Sequence, residues 1–269
     1  MFELLSEYKA QNKFGKTRMY FAMFGIIFLG LGLLIQIIST FFPMHKTNSN
    51  LLTNLNPLYP WFGCLHYLTM QSALFMTIAL ILWFINFYKH FKWMRNNVLI
   101  ICTITYNTIV FILYNTMLLP ENGKNPDLWN YYSFGPVWWW IDNIFVHCIG
   151  PLCAILFFAF SFFSIQQVKI ESIETKKTVL MGMIYPFIYL TYLVFLFFIT
   201  HRSVYGNLTA MWNFNDIIDS NSNHISKPGS ISQIYVPIVA LAVIVGMLFL
   251  FNFLNEKFIV KKYIENKQI

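Results

Sequence analysis

The sequence predicts an all-α integral membrane protein, a single bundle of six transmembrane helices with its N- and C-termini cytoplasmic. Three observations carry this. Apolar residues make up 57% of the chain, charged residues only 11%, and 29 residues are phenylalanine. A water-soluble domain cannot hide that much apolar surface, so lipid must be part of the solvent. Six apolar runs follow one another, at about 19–43, 63–87, 97–119, 143–165, 179–200 and 233–255. Each comes close to the ~20 helical residues that cross a hydrocarbon core of about 30 Å.

The third observation is where the cations fall. Lys9, Lys13, Lys16 and Arg18 precede the first run, and Lys89, Lys92 and Arg95 lie between the second and third. Lys169, Lys176 and Lys177 lie between the fourth and fifth, and Lys257, Lys261, Lys262 and Lys267 follow the last. Only Lys46, Lys124, Arg202 and Lys227 fall on the other side. The positive-inside rule then puts the lysine-rich side in the cytoplasm. The net charge of +7 is thus a topology signal, and no nucleic-acid partner is expected.

In chain order, 1–18 reads as a basic cytoplasmic segment, 19–255 as the transmembrane domain and 256–269 as a basic cytoplasmic tail. The first run is too long, and lacks the small-residue cleavage pattern, to be a removable signal peptide. The second, "FGCLHYLTMQSALF", carries His66, Thr69, Gln71 and Ser72 within two turns. The third contains "YNTIVFILYN", which repeats Tyr106 and Asn107 as Tyr114 and Asn115. Eight residues are about two turns, so the pairs share a face suited to bonding neighbouring helices. The fourth run follows "GPVWWW". Six of the eight tryptophans (Trp61, Trp129, Trp138, Trp139, Trp140 and Trp212) fall on the outer side, as in an aromatic belt. The longest connection, 201–232, contains "DIIDSNSNHISKPGSISQ" and reads as an exposed loop. Cys64, Cys102, Cys148 and Cys153 form no secreted-disulfide framework; ordinary packing accounts for them, although Cys64 and Cys148 lie at similar depth.

Polar groups inside a span are costly and therefore functional candidates. Counting from the outer span ends, Thr69 lies roughly 9 Å deep and His147 roughly 6 Å deep. A hydroxyl beside a neutral imidazole is the minimum equipment for acyl transfer, because the base takes the proton as the hydroxyl attacks. Asn143 or Asp142 would orient the imidazole. His66 is a rival base, and Asn143, Gln71 or His66 are candidate donors to the oxyanion. The structural readings stand beside these: a membrane threonine ordinarily bonds back to its own helix, and an interfacial histidine ordinarily bonds a neighbour. No metal-ligand spacing is present, and no cofactor is required.

At these residues the chain resembles the androgen-induced-protein family and its six-helix bacterial relatives. "HYLTMQSALF" resembles that family's second-span motif and "NIFVHCIGPL" its fourth. "YPFIYLTYLVFLFFITHRSVYGNLTAMWNF" resembles the fifth span and its exit. The likeness runs from about Leu65 to Asn213 in short motifs. It departs from the family where Gln71 and Ser72 are followed by Ala73, in place of a serine–asparagine pair. Characterised members are intramembrane threonine hydrolases that cleave fatty acid esters of hydroxy fatty acids. The resemblance implies Thr69 as nucleophile, His147 as base and a lipid ester as substrate. The alternative is a non-enzymatic six-helix membrane protein, a lipid-binding scaffold or a transporter, with membrane lipids as its partners. Ionisable residues are scarce inside the runs, which weighs against ion-coupled transport. The abundance of Phe, Ile, Asn and Lys, as in AT-rich bacterial genomes, points to a bacterial plasma membrane.

Overall fold

A computed structural model describes residues 11–41, 68–89, 91–119, 136–164, 170–200, 217–218, 224–226 and 231–267. Its helices follow the six apolar runs. The first span is α1 (Lys13–Phe41) and the second α2 (Leu68–Lys89). The third is α3 (Val98–Leu113), which ends in a π turn at Tyr114–Leu118. The fourth begins as α4 (Pro136–Ile144), passes through a π turn at Phe145–Ile149 and continues as α5 (Gly150–Ser161). The fifth is α6 (Thr175–Thr200). The sixth, α7 (Ile231–Asn255), runs through a π turn at Glu256–Val260 into α8 (Lys261–Lys267). The connection expected as a plain polar loop carries a short antiparallel ladder, β1 (Ile217–Ile218) with β2 (His224–Ser226), paired Ile217 to Ser226 and Ile218 to His224.

Among the described residues, five helical segments are long and apolar enough to cross a membrane, with mean hydropathies of 1.8 to 2.5. The 26-residue α6 adds a sixth column whose Leu180, Ile184, Phe187 and Ile188 are exposed. Burial is inverted relative to a soluble protein. Large side chains such as Phe24, Leu34, Ile78, Ile112 and Phe253 are exposed, while Ser72, Thr105, Asn107, Asp142, Thr178, Asn252 and Asn255 are at most 1% exposed. Water would drive the opposite arrangement; hydrocarbon around the bundle produces this one. The chain therefore has the build of a multi-pass helical membrane protein.

The first four spans close a ring: the first and third each pack against both the second and the fourth. The fifth and sixth pack on each other and on the third, outside that ring. Leu29, Met76, Leu80, Ile101, Ile104 and Phe157 fill its middle. Small residues let the first and fourth spans approach closely. A Cβ on Gly32 would lie 2.3 Å from Val146 Cγ2, and one on Gly150 would lie 2.5 Å from Leu29 Cδ2 and 2.6 Å from the Phe145 carbonyl oxygen. That oxygen belongs to the backbone and cannot swing away. Gly150→Ala is expected to cost about 1–3 kcal/mol, measured as a fall in the detergent-solubilised melting temperature.

The helix ends depart from the apolar runs. The first helix starts at Lys13, not 19, and the fourth span starts at Pro136, not 143. The fifth starts at Thr175, and the sixth continues helical to Lys267, through the segment expected as a tail. Hydropathy marks the lipid crossing, whereas a helix continues until its backbone finds other partners. Arg18 shows the consequence. Expected as a charge preceding the span, it is 5% exposed inside the ring, its guanidinium 4.7 Å from the Trp83 ring centroid and 4.6 Å from that of Phe157.

Candidate functional site

One end of the ring gathers polar side chains around two π turns that touch each other, Tyr114–Leu118 and Phe145–Ile149. Such turns are uncommon and cluster at functional sites. The second has a local cause in the sequence. Pro151 has no N–H to offer the carbonyl of His147 four residues back. Asn115, on the third span, supplies the missing donor, its Nδ2 3.0 Å from the His147 oxygen. Cys148 is a free thiol and donates to Asn115 Oδ1 at 3.0 Å.

The imidazole of His147 lies flat on Tyr114, with ring centroids 3.6 Å apart and planes 13° from parallel. The Tyr114 hydroxyl donates to Asn143 Oδ1 at 2.5 Å. Gln36 Nε2, from the first span, donates to the buried carboxylate of Asp142. Asn143 and Asp142 thus spend these oxygens on Tyr114 and Gln36, and neither bonds the imidazole, contrary to the expectation that one of them would orient it. Stacking holds the ring instead. His147 Nδ1 is buried without a hydrogen-bond partner among the described residues, as is Thr108 Oγ1. A neutral imidazole has one donor and one acceptor nitrogen, so this ring retains hydrogen-bonding capacity that the fold does not use.

Thr69 sits in the first turn of α2 and is half-buried. Its carbonyl accepts the Ser72 hydroxyl at 2.8 Å, and the Ser72 carbonyl accepts Asn107 Nδ2 at 3.0 Å. Gln71 Oε1 accepts the hydroxyl of Tyr185 on the fifth span at 3.0 Å. At the start of the second span, the Gln71 side chain and the Ser72 backbone carbonyl therefore join helices, while the Ser72 hydroxyl stays within its own. The turn bearing His147 packs against α2, but no hydrogen bond links Thr69 to His147. Asn107, which holds Ser72, and Asn115, which holds His147, are about 12 Å apart along their helix. Thr69 recovers about 4.5 Å of that, which leaves an axial offset of about 7.5 Å. His66 and Cys64 lie outside the described residues.

Sequence reasoning missed Tyr114 as the stacking partner, Asn115 as the cap of the His147 carbonyl and Gln36 as the partner of Asp142. A signal existed for Asn115: a proline four residues after the histidine leaves a carbonyl that some side chain must satisfy. The opposite end of the bundle is a separate polar clamp. There Glu256 accepts Ser172 Oγ at 2.6 Å and the Ile173 N–H at 3.2 Å, Thr178 donates to Asn252 at 3.0 Å, and Arg95 pairs with Glu171 at 3.2 Å. A groove of about 330 Å³ opens there, lined by Ser172, Glu256, Val260, Lys261 and Ile264.

Residues 140–268 match a family described as proteins of unknown function, DUF1600. The match takes in Asp142, Asn143 and His147 and leaves out the span that carries Thr69. No curated protein and no solved structure shows significant similarity to the chain.

Proposed function

We propose that the chain is an intramembrane hydrolase of lipid esters, of the fatty acid ester of hydroxy fatty acid type, working near the outer leaflet of a bacterial plasma membrane with both termini in the cytoplasm. The observation that carries this reading is the imidazole of His147, buried, stacked and with Nδ1 unpartnered, on a π turn packed against the helix of Thr69. A histidine kept only for helix packing would spend its nitrogens on neighbours.

The proposed reaction requires that ester binding bring the Thr69 hydroxyl within hydrogen-bond reach of His147. His147 takes the Thr69 hydroxyl proton as the oxygen attacks the ester carbonyl. The tetrahedral intermediate collapses, the alcohol leaves with that proton, and Thr69 holds the acyl group. Water, deprotonated by His147, then attacks the acyl carbonyl, the bond to Thr69 breaks, and the proton on His147 returns to the Thr69 oxygen as the acid leaves. Asn143, His66 and Gln71 are the candidate donors to the oxyanion.

The test is release of free fatty acid from such an ester by the purified protein in liposomes. Turnover supports the reading, and its absence from folded protein sinks it. Orientation has its own test, in a chain without native cysteines. An impermeant maleimide on whole cells is expected to label Lys227→Cys at once, and Lys92→Cys and Lys176→Cys only after the membrane is opened.

A second reading, a non-enzymatic lipid-binding scaffold, is favoured by one observation. The Gln71 side chain is engaged in joining the second span to the fifth, and the Ser72 hydroxyl bonds back to the Thr69 carbonyl on its own helix, so both polar side chains have structural roles. Transport remains the weaker form of that alternative.

A further inference from the structure

We propose that Asn115 is the positioning residue of His147, holding the one carbonyl that Pro151 strips of its helical donor and so fixing the π turn that carries the imidazole. The catalytic part of this proposal rests on the hydrolase reading above.

The side chain of Asn115 is fully used. Its Nδ2 donates to Phe111 O at 2.7 Å, one turn back on its own helix, and to His147 O at 3.0 Å across the interface. Its Oδ1 accepts the Cys148 thiol at 3.0 Å. Turning the amide over would set its oxygen against two carbonyls, so the bonds themselves fix its orientation. One side chain thus grips two successive residues of the turn, His147 by its backbone and Cys148 by its thiol. In hydrocarbon no water is at hand to replace the bond to His147, and an orphaned carbonyl there is costly. The next residue inward on the α3 register, Tyr114, supplies the surface on which the imidazole lies. Backbone and ring of His147 are therefore set by two consecutive residues of the third span.

The same device recurs two turns deeper, which argues against coincidence. Pro186 sits inside α6 and leaves the carbonyl of Gly182 without its donor. The hydroxyl of Tyr106, on the third span, donates to that carbonyl. The third span thus satisfies the carbonyls orphaned by Pro151 and by Pro186. Only at Asn115 does the capped carbonyl belong to a candidate catalytic residue.

The experiment compares wild type, Asn115→Leu, Pro151→Ala and the double variant, all full-length in liposomes. Asn115→Leu is expected to lower kcat for ester hydrolysis by about 10–100-fold, the cost of leaving a buried acceptor unpaired, with KM changed less than about twofold. Pro151→Ala restores an N–H to position 151, so the double variant is expected to recover to within about fivefold of wild type. Simple helix-to-helix glue predicts no such rescue, because alanine at 151 does nothing to replace the lost amide. Unchanged kcat in Asn115→Leu, or a double variant no better than the single, overturns the proposal. If Asn115→Leu does not fold, Asn115→Asp keeps the shape without the N–H donors and takes its place. If wild type hydrolyses nothing, the hydrolase reading fails by itself. The clasp is then judged by melting temperature and by the alkylation rate of Cys148: Asn115→Leu should lower the first and raise the second, and Pro151→Ala should restore the first. Absence of that pattern overturns the clasp as well.

Discussion

Thr69→Ala and His147→Phe are each expected to lower ester hydrolysis by about 10²–10⁴-fold, the usual worth of a positioned base and the nucleophile it serves. Phenylalanine is the informative replacement at 147. It keeps a flat ring to lie on Tyr114, 3.6 Å from it in the native stack, and removes both nitrogens. A loss of activity at nearly unchanged melting temperature then belongs to proton transfer and not to packing. The double variant should be no worse than either single one, because groups that act as a unit are strongly non-additive. Losses that multiply would mean that the two residues act separately, and the dyad would fall. Full activity in Thr69→Ala would remove the nucleophile and leave the scaffold reading in its place.

The sequence revealed the fold far more fully than it revealed the site, for a physical reason. Crossing lipid requires about 20 apolar residues in a row whatever their neighbours are, so the six runs are local signals. The ring of the first four spans, with the last two set outside it, depends on which helix meets which, and almost uniformly apolar runs carry little of that. Arg18 illustrates the limit. Its place beside the apolar run was visible, but its aromatic partners Trp83 and Phe157 lie on two other helices. The echo of Tyr106–Asn107 in Tyr114–Asn115 did point to helix-to-helix bonding, and all four residues bond another span. What it did not show was that two of those bonds answer prolines elsewhere in the chain. Periodicity also hides a π turn, since one extra residue in a turn barely disturbs a pattern in which nearly every position is apolar.

Gln36→Leu is expected to destabilise the protein by about 1–3 kcal/mol, although it exchanges a polar residue for an apolar one in an apolar helix. The reason lies across the ring. Asp142 is fully buried at the end where His147 sits, and Gln36 Nε2 donates to its carboxylate. Removing this donor from a buried carboxyl group withdraws a hydrogen bond that hydrocarbon cannot replace, and the penalty is that of the abandoned acceptor more than of the lost bond. The asymmetry supplies the check. Replacing both residues, as Gln36→Leu with Asp142→Leu, is expected to return the melting temperature part of the way to wild type, because the acceptor that Gln36 served is then gone as well. The same pair separates stability from function. Asp142 lies in α4, three residues before the π turn that carries His147, so if the Asp142–Gln36 bond also holds that turn in place, the double variant regains stability and still loses turnover. Recovery of both would show that Asn115 and Tyr114 suffice to hold His147. A single variant within about 0.5 kcal/mol of wild type would show that the bond between Gln36 and Asp142 carries no weight in the fold.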